Sequence, residues 1–128
     1  MVKDTFFCPG NVPSSKNSRV WTGRYFVVSK AVKNWRIATK EWWEENKEDF
    51  IKASNEKERP MKIGMHFIRK QKRLYDWVNP VQTIQDEMVK HEWIEDDNVD
   101  IIFPFPLKVF KEYTSYNKEE PGVIIKIL

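Results

Sequence analysis

Residues 69–97 hold three parts that chemistry on a polyanion requires. The stretch begins with four cations in five residues: Arg69, Lys70, Lys72 and Arg73. Carboxylates follow at Asp76 and again at Asp96 and Asp97, and a helical pattern lies between them. Because cations bind phosphates and carboxylates bind hard divalent metals, the stretch predicts a site where a metal ion meets a polyanion. A solvated surface of mixed charge is the simpler alternative for the same residues.

The two carboxylate positions can share a site only if the chain folds back after the helix. A helix of about 12 residues is roughly 18 Å long, and residues 92–97 span about 20 Å when extended. Asp76 and Asp97 therefore meet only if this segment returns along the helix, or if a second subunit supplies one of them. A Mg²⁺ ion needs just one or two protein carboxylates, since water and substrate phosphate complete its shell. Such an ion can orient a water nucleophile and stabilise charge on the phosphate.

The helix between these carboxylates has a clear start in the sequence. Asn79 suits the N-cap, Pro80 suits the first helical position, and Gln82 can reach back to the cap. Its buried stripe is predicted from three residues at helical spacing: Val81, Ile84 and Met88. The helix is expected to end near His91.

An earlier amphipathic helix and several short strands complete the predicted fold. Apolar residues at helical spacing predict the helix over 30–53, after Ser29 as its N-cap. Strands are predicted over 4–8, 20–28 with a turn at 22–23, 61–67, 98–103 and 122–128, with a loop over 111–120. Pro104 and Pro106 predict an edge position or a bend after the strand they follow. The order β-β-α-β-α-β-β predicts one α/β (α+β) domain over 1–128, a mixed β-sheet with two main helices.

The remaining reactive side chains suggest structure rather than chemistry. Cys8 is the one cysteine and lies in an apolar run, which predicts a buried thiol and fits a reducing, cytoplasmic location. His66 alternates with the apolar residues of its strand, so it is expected to point away from them, at the surface or hydrogen-bonded. His91 lies near a helix end, where a cation is favourable. No apolar run reaches the roughly 20 residues of a membrane helix, so no membrane partner is expected.

The cations of this chain are grouped, although the net charge is only +3. Lys16 and Arg19 add to the basic run (residues 69–73) in the N-terminal region. With Arg69, Lys70, Lys72 and Arg73 they are the candidate DNA-binding residues. An acidic tract over 86–100 stands against them, which makes better sense if a metal ion neutralises some of its carboxylates.

In these segments the sequence resembles the RusA family of Holliday-junction resolvases. The family pattern is Asp-x-Asp-Asn, then a Lys on the following helix, then Asp-Asp ahead of a strand. Here D-W-V-N at 76–79 supplies the first Asp and the Asn, and W-I-E-D-D at 93–97 supplies the closing pair. Asp86 matches an acidic position in the family helix, and V-P-S-S-K-N-S-R at 12–19 resembles the family's Pro-Ser-x-Asn loop. The likeness runs over nearly the whole chain, and its specific motifs occupy a smaller part.

The resemblance implies a homodimeric endodeoxyribonuclease that needs Mg²⁺ or Mn²⁺ and hydrolyses phosphodiesters in branched DNA, during recombination and repair. Asp76 and Asp97 are then the main metal ligands and catalytic residues, with Asp96 and Asp86 as further ligands. Asn79 would orient a ligand or cap the helix. Proteins of this family are often phage-associated, which fits an origin in a mobile element.

Two positions depart from the family pattern. Val78 replaces the second Asp, which removes a metal ligand or general base, and Gln82 replaces the Lys, which removes a cation near the phosphate. Gln82 stays a candidate catalytic residue because of its position. Asp86 lies four residues later on the same helical face and is a substitute carboxylate. Two alternatives remain open: a relative that binds branched DNA without cleaving it, and an interaction module that uses exposed tryptophans on a protein partner.

Overall fold

A computed structural model describes residues 2–14, 19–21, 23, 26–28 and 30–128, with side chains left out of the description at 19–21 and 26–28. Its elements are β1 (Thr5–Pro9), β2 (Arg19–Trp21), β3 (Phe26–Val28), α1 (Lys30–Asn55), β4 (Met61–Arg69), α2 (Val78–Lys90), β5 (Ile102–Pro106), β6 (Thr114–Tyr116) and β7 (Gly122–Ile127). Two helices and a five-stranded mixed sheet confirm the predicted α+β class. Ser29, expected to cap α1, lies outside the described residues.

The sheet is built around β4. Its order is β1-β7-β4-β5, with β7 antiparallel to both β1 and β4. Both β5 and β6 pair with β4 in parallel, β5 along Met61 to Met65 and β6 along Phe67 to Arg69. The two short strands therefore follow one another along one side of β4. The segment predicted as extended over 20–28 with a turn at 22–23 forms a separate hairpin, β2-β3, and its turn contains Gly23 at φ +97°.

The core lies between one face of the sheet and the two helices. On α2 the predicted stripe is confirmed, because Val81, Ile84 and Met88 are all buried. From α1, Trp43 and Phe50 contact Trp93, whose indole Nε1 donates to the backbone oxygen of Trp43 at 2.9 Å. Aromatic rings thus fill the space between α1, the segment after α2, and the sheet, and they fix where that segment lies.

His66 points away from the apolar face of β4 and is hydrogen-bonded, as predicted, but the second face of β4 is also covered, so the ring is not at the surface. The His66 ring is 1% exposed. Its Nδ1 lies 3.0 Å from the Leu107 carbonyl oxygen and its Nε2 lies 2.8 Å from Ser115 Oγ. A carbonyl only accepts, so Nδ1 carries the proton and Nε2 accepts from the hydroxyl. Gly64, on the same face, leaves room for Leu107, since a Cβ there would approach the Leu107 side chain to 3.0 Å.

Two predicted element boundaries are wrong. The strand expected over 98–103 begins only at Ile102, because the backbone oxygen of Asn98 accepts from the amides of Ile101 and Ile102 and closes a turn there. The strand then continues through both prolines, at the sheet edge that they predicted. The expected loop over 111–120 contains β6. Among the helices of the described residues, none is long and apolar enough to cross a bilayer.

Candidate functional site

The first carboxylate of the site, Asp76, helps to start α2. Its backbone oxygen accepts from the Asn79 amide at 3.0 Å, and its Oδ1 accepts from the Val78 amide at 3.3 Å. The helix begins at Val78 with Trp77 in the N-cap position, so the prediction of Asn79 as N-cap is wrong. Pro80 falls in the first helical turn, where its missing N–H costs nothing.

Gln82 holds two carboxylates instead of capping the helix. Its Nε2 donates to Asp86 Oδ1 at 2.7 Å and to Asp97 Oδ2 at 3.1 Å. Both carboxylate oxygens lie within hydrogen-bond reach of one nitrogen, so they are close to each other on the surface. We call Asp86 and Asp97 the carboxylate pair. An amide with two hydrogens can satisfy both, which offsets their mutual repulsion.

The segment after α2 returns along the helix, as a shared site requires. The helix ends at Lys90 with His91 as C-cap, yet Asp97 reaches Gln82, about two turns back. Trp93 and Ile94 anchor this return because both are buried, and the amides of both bond to the Met88 carbonyl. Roughly 9 Å of axis still separates the levels of Gln82 and Asp76. The structure therefore joins Asp97 to Asp86 and leaves Asp76 at the helix start.

Asp96 shapes the turn that presents Asp97. Its Oδ1 accepts from the Asp97 amide at 2.8 Å, and its Oδ2 accepts from the Asn98 side-chain amide at 3.0 Å. These hydrogen bonds, led by the one from the Asp97 amide, lower the pKa of the exposed Asp96 carboxyl. Each of its oxygens therefore already has one donor, and these bonds orient Asp97.

The donor set of the carboxylate pair fits a hard divalent cation. No three His, Cys, Asp or Glu side chains come together as a ready metal cluster in the part of the chain that the structure describes. Mg²⁺, however, takes one or two carboxylates and fills its shell with water and phosphate. Asp86 and Asp97 are partly exposed, so water and a phosphate can reach the space between them. Gln82 lies at the same point and can turn its amide oxygen toward a cation.

The basic run lies immediately before Asp76 and is partly built into the fold. Arg69 Nη1 donates to the Val12 carbonyl at 2.8 Å, and its guanidinium lies 4.7 Å from the centre of the Tyr75 ring. Burial lowers the pKa of Arg69. Within the described residues, Lys70, Lys72 and Arg73 are exposed and take part in no ion pair. These three cations are therefore available to an anionic partner.

Two concave regions flank the basic run. One of about 370 Å³ is lined by Asn11, Arg69, Lys70, Gln71, Arg73, Leu74 and Tyr75. Another of about 190 Å³ is lined by Arg69, Gln71, Lys72, Arg73 and Tyr75 together with residues of the 112–116 segment. Cationic side chains line both regions. Lys16 lies outside the described residues, and Arg19 is described for its backbone alone.

The loop after β1 is fastened to the site from two sides. Asn11 Oδ1 accepts from the Lys70 amide at 3.0 Å. Thr83 Oγ1, on α2, donates to the Pro13 carbonyl at 2.7 Å. Residues 11–13 of this loop thus pack beside the basic run and α2. Residues 15–18 of the predicted Pro-Ser-x-Asn likeness lie outside the described residues.

Glu87 of the acidic tract and Cys8 of the core are buried and structural. Glu87 is buried, with Arg36 Nε 3.0 Å from its Oε1, a charge contact without hydrogen-bond alignment, and His91 Nε2 3.1 Å from its Oε2. Glu87 belongs to the acidic tract predicted over 86–100, but its place beside Met88 on the apolar face of α2 was a signal of burial. Cys8 is buried as predicted, and burial raises the pKa of its thiol to about 12.

The tryptophans do not form an exposed patch among the side chains that the structure describes. Trp35, Trp43 and Trp93 are buried, and Trp42 and Trp77 are half-buried. The alternative of an interaction module required exposed tryptophans, and none of these five side chains is fully exposed.

Sequence reasoning missed one connection between the site and the sheet. Tyr75, the residue before Asp76, donates its hydroxyl to Thr114 Oγ1 at 2.8 Å, and Thr114 Oγ1 in turn donates to the Phe67 carbonyl at 3.0 Å. This chain ties the start of the site to β6. A lone tyrosine between an exposed leucine and an aspartate gave no periodic signal that could have revealed it.

No protein-family model matches this sequence, and no curated protein matches it. The resemblance to the RusA family therefore stays a prediction from the quoted motifs.

Proposed function

We propose that this protein is a divalent-metal-dependent, structure-selective endodeoxyribonuclease that acts on branched DNA such as Holliday junctions, in recombination and repair. The observation that carries the proposal is the contact of Gln82 with both Asp86 and Asp97. It brings two carboxylates from separate parts of the chain to one exposed point, on the helix that follows the basic run. A pair of carboxylates at the helix that follows a mostly exposed basic run suits a metal ion and a phosphodiester.

In this proposal Asp86 and Asp97 hold a Mg²⁺ or Mn²⁺ ion, and Asp76 stays at the start of the same helix, roughly 9 Å of axis away and outside this pair. When bound, the ion supplies positive charge at the phosphate and makes a water molecule more acidic. Gln82 keeps the carboxylate pair together before the ion arrives, and its amide oxygen serves as a neutral ligand afterwards. Lys70, Lys72 and Arg73 bind the DNA backbone in a salt-dependent way that does not depend on sequence.

Selectivity for a four-way junction requires two sites that face separate strands, so the proposal includes a symmetric homodimer. The proposal includes a cytoplasmic location, because the DNA substrate is found there and because the one cysteine is a buried free thiol. A mobile-element origin accords with the resemblance.

A second candidate function is binding of branched DNA without cleavage. The observation that favours it is Val78, which is 55% exposed at the start of α2 and brings an apolar surface where the resemblance expects a carboxylate. With one ligand fewer, the site holds a metal ion more weakly, and the cations of the basic run are unaffected by that loss.

A cleavage assay separates the two candidates. The chain is incubated with a labelled four-way junction and with a matched linear duplex, each with EDTA, Mg²⁺ or Mn²⁺. Nicking of the junction that requires metal and disappears in Asp97→Asn supports the nuclease. The matched control is Asp100→Asn, which removes an exposed carboxylate outside the pair. If the protein binds the junction but does not nick it with any metal, the result supports binding without cleavage. If it binds neither DNA, both candidate functions are excluded.

A further inference from the structure

We propose that the turn between β5 and β6 (residues 109–112, the β5–β6 turn) is a second DNA contact, at which Phe110 stacks on an unpaired or unstacked base at the branch point. This inference rests on the proposed function. It names the structural feature of the DNA that the protein reads, beyond the backbone contacts of the basic run.

The turn presents an aromatic ring entirely to solvent. The Val109 amide donates to the Glu112 carbonyl at 2.8 Å, and the Glu112 amide donates back to Val109 at 3.0 Å, so two residues form the tip. Phe110 is one of them and is 97% exposed. The ring is not buried in the core, so burial does not explain why a phenylalanine occupies this position.

The backbone at the tip is strained for the residues that occupy it. Phe110 has φ +48° and Lys111 has φ +70°. Tight hairpin turns with positive φ at both central residues strongly prefer Asn and Gly, because a Cβ makes this region costly. Phe and Lys are therefore poor choices for folding at these two positions. Strained backbone of this kind clusters at sites that bind or react.

Charge around the tip favours an anionic partner. Lys108 and Lys111 flank Phe110 and are both exposed, and Glu112 is the one acidic residue of the turn. The Lys108 ammonium lies 5.4 Å from the centre of the Tyr113 ring. An aromatic ring between two cations is the combination by which proteins bind single-stranded or distorted nucleic acid, since the cations contact phosphates and the ring stacks on a base.

The turn lies beside the basic run, so one DNA molecule can contact both. Glu112 lines the same concave region as Lys72 and Arg73. The strand that follows the turn is fastened to the site, because Thr114 accepts from Tyr75. A base held by Phe110 is therefore held at a fixed position relative to Asp76. A continuous duplex keeps its bases stacked and offers none to the ring, whereas a branch point does.

The test compares affinities for a four-way junction and for a linear duplex of equal length, in EDTA so that no cleavage occurs. Loss of one stacked base costs roughly 5- to 150-fold in affinity. We expect Phe110→Ala to weaken junction binding by that factor and to leave duplex binding unchanged, whereas Phe110→Tyr keeps the junction affinity. The matched control is Phe103→Ala, which removes another exposed ring, from a concave region lined by residues 56–60 and Leu128.

A second variant separates stacking from folding. Asn adopts positive φ more readily than Phe, so Phe110→Asn is expected to keep or raise the melting temperature while losing junction preference. With 2-aminopurine at the branch point, the wild type is expected to change the probe's emission and Phe110→Asn is expected not to.

Three results would overturn the inference. The first is an equal loss for junction and duplex in Phe110→Ala, and the second is no loss for either. The third is a changed oligomeric state in sedimentation, which would make Phe110 a contact between copies of the chain. A wild type that cleaves the junction with metal while Phe110→Ala binds it equally well refutes this inference alone. A wild type that binds no DNA refutes the proposed function and this inference with it.

Discussion

Replacing Gln82 by Leu removes the amide that holds the carboxylate pair and keeps a good helix former on α2. The wild-type nitrogen donates to Asp86 at 2.7 Å and to Asp97 at 3.1 Å. Because both bonds lie at the surface, each contributes about 0.5 to 1 kcal/mol. We therefore expect Gln82→Leu to lower the free energy of unfolding by about 1 to 2 kcal/mol in the absence of metal.

The sign of a second mutation tests whether the two carboxylates are close. Two like charges about 6 Å apart in water repel by ~0.7 kcal/mol. In the Gln82→Leu background, Asp97→Asn relieves that repulsion and is expected to stabilise the protein by about this amount. In the wild-type background the same change weakens a charge-assisted bond and is expected to be neutral or slightly destabilising. The coupling between the two positions is then about 1 kcal/mol.

Urea unfolding in EDTA measures these differences. Trp43 and Trp93 are in contact in the core, with ring centres 4.7 Å apart, so tryptophan fluorescence reports global unfolding. Gln71→Leu is the control, since it replaces an exposed glutamine elsewhere on the surface. If Gln82→Leu is as stable as the wild type and its coupling to Asp97→Asn is below about 0.3 kcal/mol, the amide does not hold the pair.

Three further predictions address the missing ligand, the buried thiol and the sheet. Val78→Asp places a carboxylate at an exposed position in the first turn of α2, so it is expected to raise stability by about 0.3 to 1 kcal/mol and to tighten Mn²⁺ binding in calorimetry. Unchanged Mn²⁺ affinity would place Val78 outside the site. Folding raises the pKa of the Cys8 thiol from 9.0 to about 12. The stability that this neutral thiol contributes to the folded protein is therefore complete below pH 9 and is lost as pH rises toward 12, at about 1.4 kcal/mol per pH unit. Urea unfolding at pH 8 and pH 10.5 should show this slope in the wild type and not in Cys8→Ala, and parallel slopes would contradict it. Gly122→Ala is expected to cost about 2 to 3 kcal/mol, since the new Cβ would come 2.5 Å from the Cys8 carbonyl oxygen, and a loss below about 0.5 kcal/mol in thermal unfolding would refute the close approach.

Local periodicity allowed the helices and the central strand to be predicted from the sequence. The stripe of Val81, Ile84 and Met88 and the alternation of Met61, Ile63, Met65 and Phe67 each record which side of their own element is buried. Such patterns depend only on neighbours along the chain. They therefore correctly predicted burial on α2 and on one face of β4.

Contacts outside the periodic pattern explain what the sequence did not predict. The partners that bury His66, Leu107 and Ser115, lie more than forty positions away, so its alternation with apolar neighbours indicated its face and not its burial. The start of β5 is delayed by a turn at Asn98, a residue that fits a strand end equally well. The start of α2 was predicted too late, because Asp76 Oδ1 accepts from the Val78 amide and the helix begins ahead of the predicted N-cap, Asn79.

The meeting of Asp86 with Asp97 was not predictable from the sequence. The resemblance implied both as ligands together with Asp76, which the structure leaves at the helix start. The meeting of the carboxylate pair depends on the return of residues 92–97 along α2, which the burial of Trp93 and Ile94 directs. Spacing alone allowed this arrangement without requiring it.

Mn²⁺ binding to the carboxylate pair is the most direct test of this account. Electron paramagnetic resonance titration of free Mn²⁺ counts the sites in the wild type, Asp86→Asn, Asp97→Asn and the control Asp100→Asn. We expect one site per chain in the wild type and in Asp100→Asn, displaced by excess Mg²⁺, and a loss of at least about tenfold in affinity for each variant of the pair. Equal Mn²⁺ binding in all four proteins, or none in the wild type, would contradict a metal site between Asp86 and Asp97.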